Sequence, residues 1–210
     1  ANRSLDEVLR EKTMRARAAK MLKRALMLLA VIAVAMLALR SFNALRGPAL
    51  QPWHTFVPVE LNATELDAAD WTRYLAQEGE IMASVRAEVS QRLAPDARVP
   101  INRYFEVSPV YPARFAQDWN RSYVMNPEGK PAGVVVLLHG LTDSPYSLRH
   151  IARRYVEHGY VAIGLRMPGH GTVPAGLTDV RWEDWMAATR LAIREARRRG
   201  FHGVVCGHIH

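Results

Sequence analysis

The clearest indication of the fold class is the stretch Gly133–Pro145, which reads GVVVLLHGLTDSP. Its first six residues form an unbroken apolar run, which is typical of a strand buried on both faces of a sheet. The run stops at His139, and Pro145 predicts the start of a helix that ends near Gly159. A buried strand that leads directly into a helix is the first half of a βαβ unit.

The same alternation continues towards the C-terminus. Residues 160–165 (YVAIGL) and 203–206 (GVVC) predict two more strands. Residues 180–199 predict a helix between them, and its apolar face comprises Trp182, Trp185, Met186, Thr189, Ile193 and Ala196. This order of strands and helices predicts an α/β fold with a parallel sheet and right-handed crossover helices.

Two loops follow the first two of these strands, at the carboxyl end where α/β sheets bind ligands. The first, His139–Pro145, lacks the glycine pattern of dinucleotide sites and the Gly-Lys-Ser/Thr of a phosphate loop. Together with the second, Arg166–Thr172 (RMPGHGT), it resembles the α/β-hydrolase family of esterases, monoacylglycerol lipases and serine aminopeptidase-like enzymes. The resemblance covers residues 130–207 and implies a serine hydrolase of small carboxylic esters or amides that uses no cofactor.

The resemblance also implies roles for residues of the first loop. The backbone N–H of Leu141 would stabilise the oxyanion of acyl transfer, and His139 and Gly140 would shape the turn that aims it. The alternative for His139 and His170 is a structural role in which both rings bond loop backbone, because neither stands where the family has its general base.

The nucleophile is missing where the resemblance would place it. The strand at 203–206 leads into Gly207–His210 (GHIH) instead of G-x-S-x-G, so Ile209 stands at the serine position. The acid and the base follow the serine in the family. We therefore expect residues 100–210 to be an incomplete, truncated α/β-hydrolase domain that is inactive alone. The strand at 203–206 would have an unpaired edge, through which we expect self-association.

Other nucleophiles and metal ligands are poorer candidates. Ser144 and Ser147 are expected to cap and flank a helix, and Cys206 lies within an apolar strand. A single cysteine excludes an intramolecular disulfide. His208 and His210 alternate as on a strand, but no third or fourth ligand accompanies them at a recognisable spacing, so we predict no metal site.

The residues before the sheet predict a linker and a helix. Residues 46–62 contain three prolines and predict a linker. Apolar residues at helical spacing over 63–95 predict one long helix, begun by a capping box of Asn62 and Glu65. This helix can pack on the hydrolase-like domain or serve as an arm for a partner. The second alternative makes the protein a non-catalytic, membrane-tethered scaffold or interaction module.

The N-terminal residues predict a single-pass membrane anchor. Residues 25–39 are uncharged and apolar, and they follow a basic tail at 1–24. A helix over 25–45, with Arg40 at the membrane surface, is long enough to span a lipid bilayer whose hydrocarbon core is about 30 Å thick. The alternatives are a cleaved secretory signal and a buried core helix. The long basic tail and the lack of a small-residue cleavage site favour an uncleaved signal-anchor.

The placement of charge excludes one class of partner and predicts an orientation. The formal net charge is +8, of which +7 lies in residues 1–46. The nearly neutral remainder has no basic excess for a nucleic-acid backbone. Eight basic residues precede the anchor, so the positive-inside rule places the N-terminus in the cytoplasm. The hydrolase-like domain would lie outside, in the periplasm if the organism is bacterial.

Overall fold

The computed structural model of the protein describes residues 5–47, 49–200 and 204–208. The chain divides into two compact units, Ala1–Ala49 and Leu50–His210. The division falls inside residues 46–62, which the sequence predicts to be one linker.

The first unit contains one long helix. α1 (Leu5–Leu45) includes basic residues of the predicted tail and the whole predicted anchor. Within it, Arg17–Leu45 spans 29 residues with a mean hydropathy of 2.3, and its apolar window is not buried. At 1.5 Å per residue, these 29 residues extend about 44 Å. By length and composition, α1 is therefore able to cross a membrane.

The second unit contains a mixed sheet, which in the described residues has four strands in the order β1-β3-β2-β4. They are β1 (Tyr123–Met125), β2 (Gly133–Leu138), β3 (Tyr160–Leu165) and β4 (Val204–His208). β3 and β4 both pair with β2 in parallel, as predicted. The prediction of a wholly parallel sheet is incomplete, because β1 pairs antiparallel with β3. Self-association through the edge at β4 stays a prediction.

Helices cover both faces of β2, which explains its unbroken apolar sequence. Val135 and Leu137 belong to a core cluster that includes Leu148 of α5 (Pro145–Glu157). Val134 and Val136 point to the opposite face and belong to a cluster that includes α6 (Trp182–Arg198). Alternate residues of the strand therefore enter two different cores.

The buried face of α6 differs from the predicted one. Trp182 and Met186 are 65% and 50% exposed, so they do not face the core. The buried apolar residues are small or branched, and they are Ala187, Ala188, Leu191, Ala192 and Ala196. Of the predicted face, Ala196 is buried and Trp185, Thr189 and Ile193 are half-buried, so the prediction fails at Trp182 and Met186.

The predicted helix over 63–95 is interrupted. α2 (Pro52–Thr55) is followed by α3 (Ala63–Ala68) and α4 (Trp71–Glu88), and two short 3-10 turns lie after α4. The break occurs because Asp70 caps a new helix by accepting a hydrogen bond from the backbone N–H of Arg73 at 2.7 Å. The capping box of Asn62 and Glu65 is confirmed, with hydrogen bonds of 3.1 and 2.9 Å.

These upstream residues pack on the sheet. Leu61, Leu66, Trp71 and Tyr74 belong to the same core cluster as Val136 of β2. Burial of such side chains stabilises a fold by about 1.5–3 kcal/mol each. The end of the predicted 46–62 linker is therefore part of the folded unit, and α3 and α4 contribute to its core.

Candidate active site

Two loops begin side by side at the carboxyl ends of β2 and β3, as the sequence predicts. β2 and β3 lie side by side in parallel, with Leu138 opposite Leu165. The loop from residue 139 and the loop from residue 166 therefore leave the same edge. The backbone of His208 in β4 pairs with Leu138 on the other side, so the carboxyl end of β4 lies there as well.

His139 is a buried, neutral link between the two loops. Its ring Nδ1 lies 3.0 Å from the carbonyl oxygen of Gly140, and its Nε2 accepts a hydrogen bond of 3.0 Å from the backbone N–H of Met167. Burial lowers the pKa of His139 to about 4. The neutral ring can therefore donate through Nδ1 and accept through Nε2 at the same time.

His170 makes the second link. Its Nε2 lies 2.7 Å from the carbonyl oxygen of Leu141, and its Nδ1 lies 3.0 Å from that of Pro168. The ring is buried between His139 and Trp185, with centroid distances of 4.9 and 5.5 Å. Both histidines thus bond loop backbone.

The carbonyl of Leu141 has a partner, and its N–H has none among the described residues. The residue is 63% exposed, and the contact with His170 fixes its carbonyl oxygen. Between the residues that the structure describes, no hydrogen bond uses the backbone N–H of Leu141. This donor is available to an oxygen atom of a bound molecule.

The second loop depends on two glycines in the left-handed region. Gly169 has a φ of +81° and Gly171 a φ of +73°. A Cβ atom at Gly169 would lie 2.8 Å from the carbonyl oxygen of Gly176, and one at Gly171 would lie 2.6 Å from that of Asn120. Side chains at either position would push this loop out of its place beside Leu141.

A buried arginine begins the second loop. The side chain of Arg166 is 0% exposed and lies between Glu60 and Glu78, which are 8% and 0% exposed. It donates two hydrogen bonds to Glu60, of 2.7 and 2.9 Å, and one of 3.2 Å to Glu78. The Tyr74 hydroxyl donates to the Arg166 carbonyl oxygen. Residues from before the sheet therefore surround this guanidinium.

Glu78 is held by further donors. It accepts from the backbone N–H and the hydroxyl of Ser122, the latter at 2.6 Å. Burial raises the pKa of Glu78, and the charge of Arg166 and the Ser122 donors oppose that rise. Burial also raises the pKa of Tyr74 well above its usual value, so its hydroxyl stays protonated and donates.

Two cavities flank the first loop, and His170 lines both. The Trp185 pocket is about 310 Å³ and is lined by Leu138, Leu141, Met167 and Trp185. The Thr142 cleft is about 540 Å³ and is lined by Arg103, Thr142, Tyr146 and Thr172, among others. Both are of the size that small ligands occupy.

The remaining sequence candidates are either occupied elsewhere or outside the described residues. Ser144 stands at the start of α5, but its hydroxyl donates to Asn120 at 3.0 Å instead of capping the helix. The Ser147 hydroxyl donates to the Ser144 carbonyl at 3.2 Å. The side chains of Cys206 and His208 are not described, and the predictions for Ile209 and His210 lie outside the described residues. In the described part of the chain, no group of three metal-ligating side chains is present.

Sequence reasoning missed the buried ion cluster. Arg166 is quoted in the RMPGHGT motif, but its partners Glu60 and Glu78 are 106 and 88 residues away. One signal was available: a cation placed directly after a fully apolar strand is a candidate for a buried, paired charge. Nothing local identifies which carboxylates pair with it.

Comparison with known proteins shows a sequence relationship over a limited part of the chain. No family model matches the chain. The thermostable monoacylglycerol lipase of Bacillus sp. (strain H-257) is 38% identical over 61 residues, which is 29% of this chain and 24% of that relative. The match therefore spans about a quarter of the relative's length. The chain is related in part to the α/β-hydrolases.

A solved structure is also similar over part of the chain. It comes from work on LipS and LipT, two metagenome-derived lipolytic enzymes, and it is 30% identical with a TM-score of 0.38. The similarity covers 43% of this chain and 36% of that structure. The sequence relationship to the monoacylglycerol lipase likewise covers a minor part of the molecule.

Proposed function

We propose that the protein is a membrane-anchored serine hydrolase that cleaves carboxylic esters or amides. The observation that carries this proposal is the backbone N–H of Leu141. It makes no hydrogen bond to described residues, it lies at the carboxyl ends of parallel strands, and its residue is fixed by His170. A preorganised N–H of this kind is what acyl transfer requires for its oxyanion.

The chemistry follows from that geometry. A serine oxygen attacks the carbonyl carbon of the substrate while a base takes the hydroxyl proton, the carbonyl oxygen becomes an oxyanion, and the Leu141 N–H donates a hydrogen bond to it. The C–O or C–N bond then breaks, the base returns the proton to the leaving alcohol or amine, and water hydrolyses the acyl-enzyme. Loss of one such donor typically costs about 3–4 kcal/mol of transition-state stabilisation. Among the described residues, no serine hydroxyl bonds a histidine ring, so the proposal takes the nucleophile and its base from outside them.

The Trp185 pocket favours a substrate with an apolar part. Leu138, Met167 and Trp185 give the Trp185 pocket an apolar wall next to Leu141. An acyl chain in this pocket would place its carbonyl at the loop. The partial relationship to a monoacylglycerol lipase supports an ester of this kind.

Anchoring by α1 belongs to the same proposal. An 18-residue window of the Arg17–Leu45 span has the hydropathy of a membrane helix, and the basic residues before it favour a cytoplasmic N-terminus. Protein that stays in membranes after carbonate extraction, and whose second unit is digested by protease added from the non-cytoplasmic side, supports this topology. Release by carbonate, or protection of the second unit, contradicts it.

The scaffold alternative has less support. Its interaction surface was to be the long helix, but Tyr74, Ile81 and Val85 of α4 are buried in the protein's own fold. The apolar face of that helix is therefore not free for a partner.

A fluorophosphonate probe tests the proposed hydrolase. The natural full-length protein, in membranes, is expected to be labelled, and an excess of a p-nitrophenyl ester is expected to slow the labelling. A known serine hydrolase in the same membranes serves as the positive control. Absence of labelling and of ester hydrolysis in folded protein, with the control labelled, overturns the proposal.

A further inference from the structure

The carboxylate of Glu60 has an unusual combination of partners. Glu60 lies before α3, in the segment that the sequence predicts to be a linker, yet its side chain is 8% exposed. It binds both Nη atoms of Arg166, and its Oε1 also accepts a hydrogen bond of 2.8 Å from the backbone N–H of Gly169. One carboxylate therefore holds the loop after β3 at its beginning and at its middle.

The contacts continue from this carboxylate to the first loop. Nη1 of Arg166 also donates to the carbonyl oxygen of His170 at 3.1 Å. The ring of His170 contacts the carbonyl oxygen of Leu141 at 2.7 Å. Glu60 thus reaches Leu141 through Arg166, Gly169 and His170 by hydrogen bonds that are buried or partly buried.

The second buried carboxylate has a different position. Glu78 binds Nε of Arg166 and both donors of Ser122. In the described structure it makes no hydrogen bond to residues 167–172. Glu78 therefore holds the arginine, whereas Glu60 holds the arginine and the backbone of the loop.

We propose that Glu60 is a positioning residue, which fixes the loop after β3 so that His170 holds Leu141 with its N–H directed at the oxyanion. This inference rests on the proposed function. It assigns the residues before the sheet a part in catalysis, in addition to their part in the core. Glu60 acts through His170 and does not itself contact the substrate.

Hydrogen exchange measured by mass spectrometry tests the link without reference to activity. The full chain in lipid nanodiscs is compared as wild type, as Glu60→Gln and as Asp67→Asn. Asp67 is a matched control because it also pairs with an arginine after β3, Arg190, but that pair is exposed, and among the described contacts neither residue hydrogen-bonds residues 139–144 or 166–172. Glutamine keeps the shape of the side chain, but it loses the charge and one of the two acceptor oxygens.

We expect Glu60→Gln to increase exchange about tenfold in peptides covering 139–144 and 166–171, with α5 and α6 unchanged. Asp67→Asn is expected to leave both loops as in the wild type. Increased exchange throughout the second unit would mean that Glu60 is structural only. Unchanged exchange at 139–144 would mean that the link ends before Leu141. Either result overturns the proposal.

Kinetics on the natural full-length protein give the second readout. Misplacement of an oxyanion donor lowers kcat and leaves KM nearly unchanged, and we expect Glu60→Gln to lower kcat by about 10- to 100-fold. An unchanged kcat contradicts the positioning role. If the wild type hydrolyses no ester, the proposed function fails, and hydrogen exchange still decides whether Glu60 holds the loops.

A conservative variant keeps the test decisive if Glu60→Gln does not fold. Glu60→Asp keeps the charge, but it is one methylene too short to bind Arg166 and Gly169 together. We expect Glu60→Asp to fold and to increase exchange at 166–171 and at 139–144 by less than the tenfold increase expected for Glu60→Gln. Wild-type exchange in both loops of Glu60→Asp contradicts the proposal.

Discussion

Two ion-pair regions join the residues before the sheet to those after β3, and they differ in burial. In the buried region, Arg166 lies between Glu60 and Glu78, whose side chains are at most 8% exposed. In the exposed region, Asp67 of α3 pairs with Arg190 of α6, with exposures of 45% and 48%. Both regions use the same chemical groups.

Burial changes the structural role of a charge pair. Arg190 and Asp67 share hydrogen bonds of 2.9 and 2.6 Å, yet water competes for both of them. Arg166 and Glu60 are 0% and 8% exposed, so water competes for them far less, and they also bind backbone of the loop beside Leu141. The buried pair therefore constrains the candidate site, and the exposed pair does not.

Replacement of the central arginine has the largest expected effect on stability. Arg166→Leu leaves Glu60 and Glu78 without their cation in the interior, so the free energy of unfolding should fall by about 3–5 kcal/mol. Urea denaturation of the detergent-solubilised full chain, followed by tryptophan fluorescence, measures this change. The matched variant Arg190→Leu should show no measurable loss. Equal losses in the two variants would contradict the comparison.

Two neighbouring residues of α3 separate packing from charge. Leu66 is fully buried in the core cluster, whereas Asp67 beside it makes the exposed pair. Leu66→Ala removes buried methyl groups and should lower the free energy of unfolding by about 2–5 kcal/mol. Asp67→Asn should leave it unchanged within error. A larger loss for Asp67→Asn than for Leu66→Ala would mean that the exposed pair, and not packing, holds α3.

The histidine next to the buried region should make stability depend on pH. The pKa of His139 falls from 6.5 to about 4 on folding, so the unfolded chain binds a proton there at a higher pH than the folded protein does. The contribution of the neutral His139 ring to the free energy of unfolding is therefore present above pH 6.5 and is lost as the pH falls towards 4. Groups that act on this ring are His170, Asp143 and Arg166, and His170 and Arg166 favour the neutral form.

Comparison with His139→Gln isolates this contribution. The stability advantage of the wild type over the variant should shrink by about 1.6 kcal/mol between pH 6.5 and pH 5, and the slope approaches about 1.4 kcal/mol per pH unit between the two pKa values. His150→Gln, the same type of substitution at an exposed position, serves as the control. A constant difference between wild type and His139→Gln would show that the ring titrates normally in the folded protein.

Most of the sheet could be predicted from the sequence, because its information is local. The apolar run at 133–138 must be buried on both faces, and α5 and α6 are each introduced by turn residues at short range. Helical spacing predicted the face of α6 only in part, because Ala196 is buried whereas Trp182 and Met186 are exposed. Spacing groups residues by angle around the helix axis, and tertiary contacts decide which of them enter the core.

The site could be predicted only in part. The motif residues locate the two loops and the edge of the sheet at which they meet, since parallel strands carry their carboxyl ends to one side. What fixes the loops could not be predicted, because Glu60 and Arg166 are separated by 106 residues and no periodic pattern connects them. The prolines at 46–62 indicated a linker, and tertiary contacts of Leu61 and Glu60 override that local signal.

A comparison of Leu141→Pro with Leu141→Ala tests whether the backbone N–H of Leu141 stabilises the oxyanion. Proline removes the N–H, whereas alanine keeps the N–H and removes the exposed side chain. In the natural full-length protein, Leu141→Pro is expected to lower kcat for ester hydrolysis by about 10²- to 10³-fold, and Leu141→Ala is expected to keep it near the wild-type value. Equal kcat values for the two folded variants would contradict the role of the Leu141 N–H in stabilising the oxyanion.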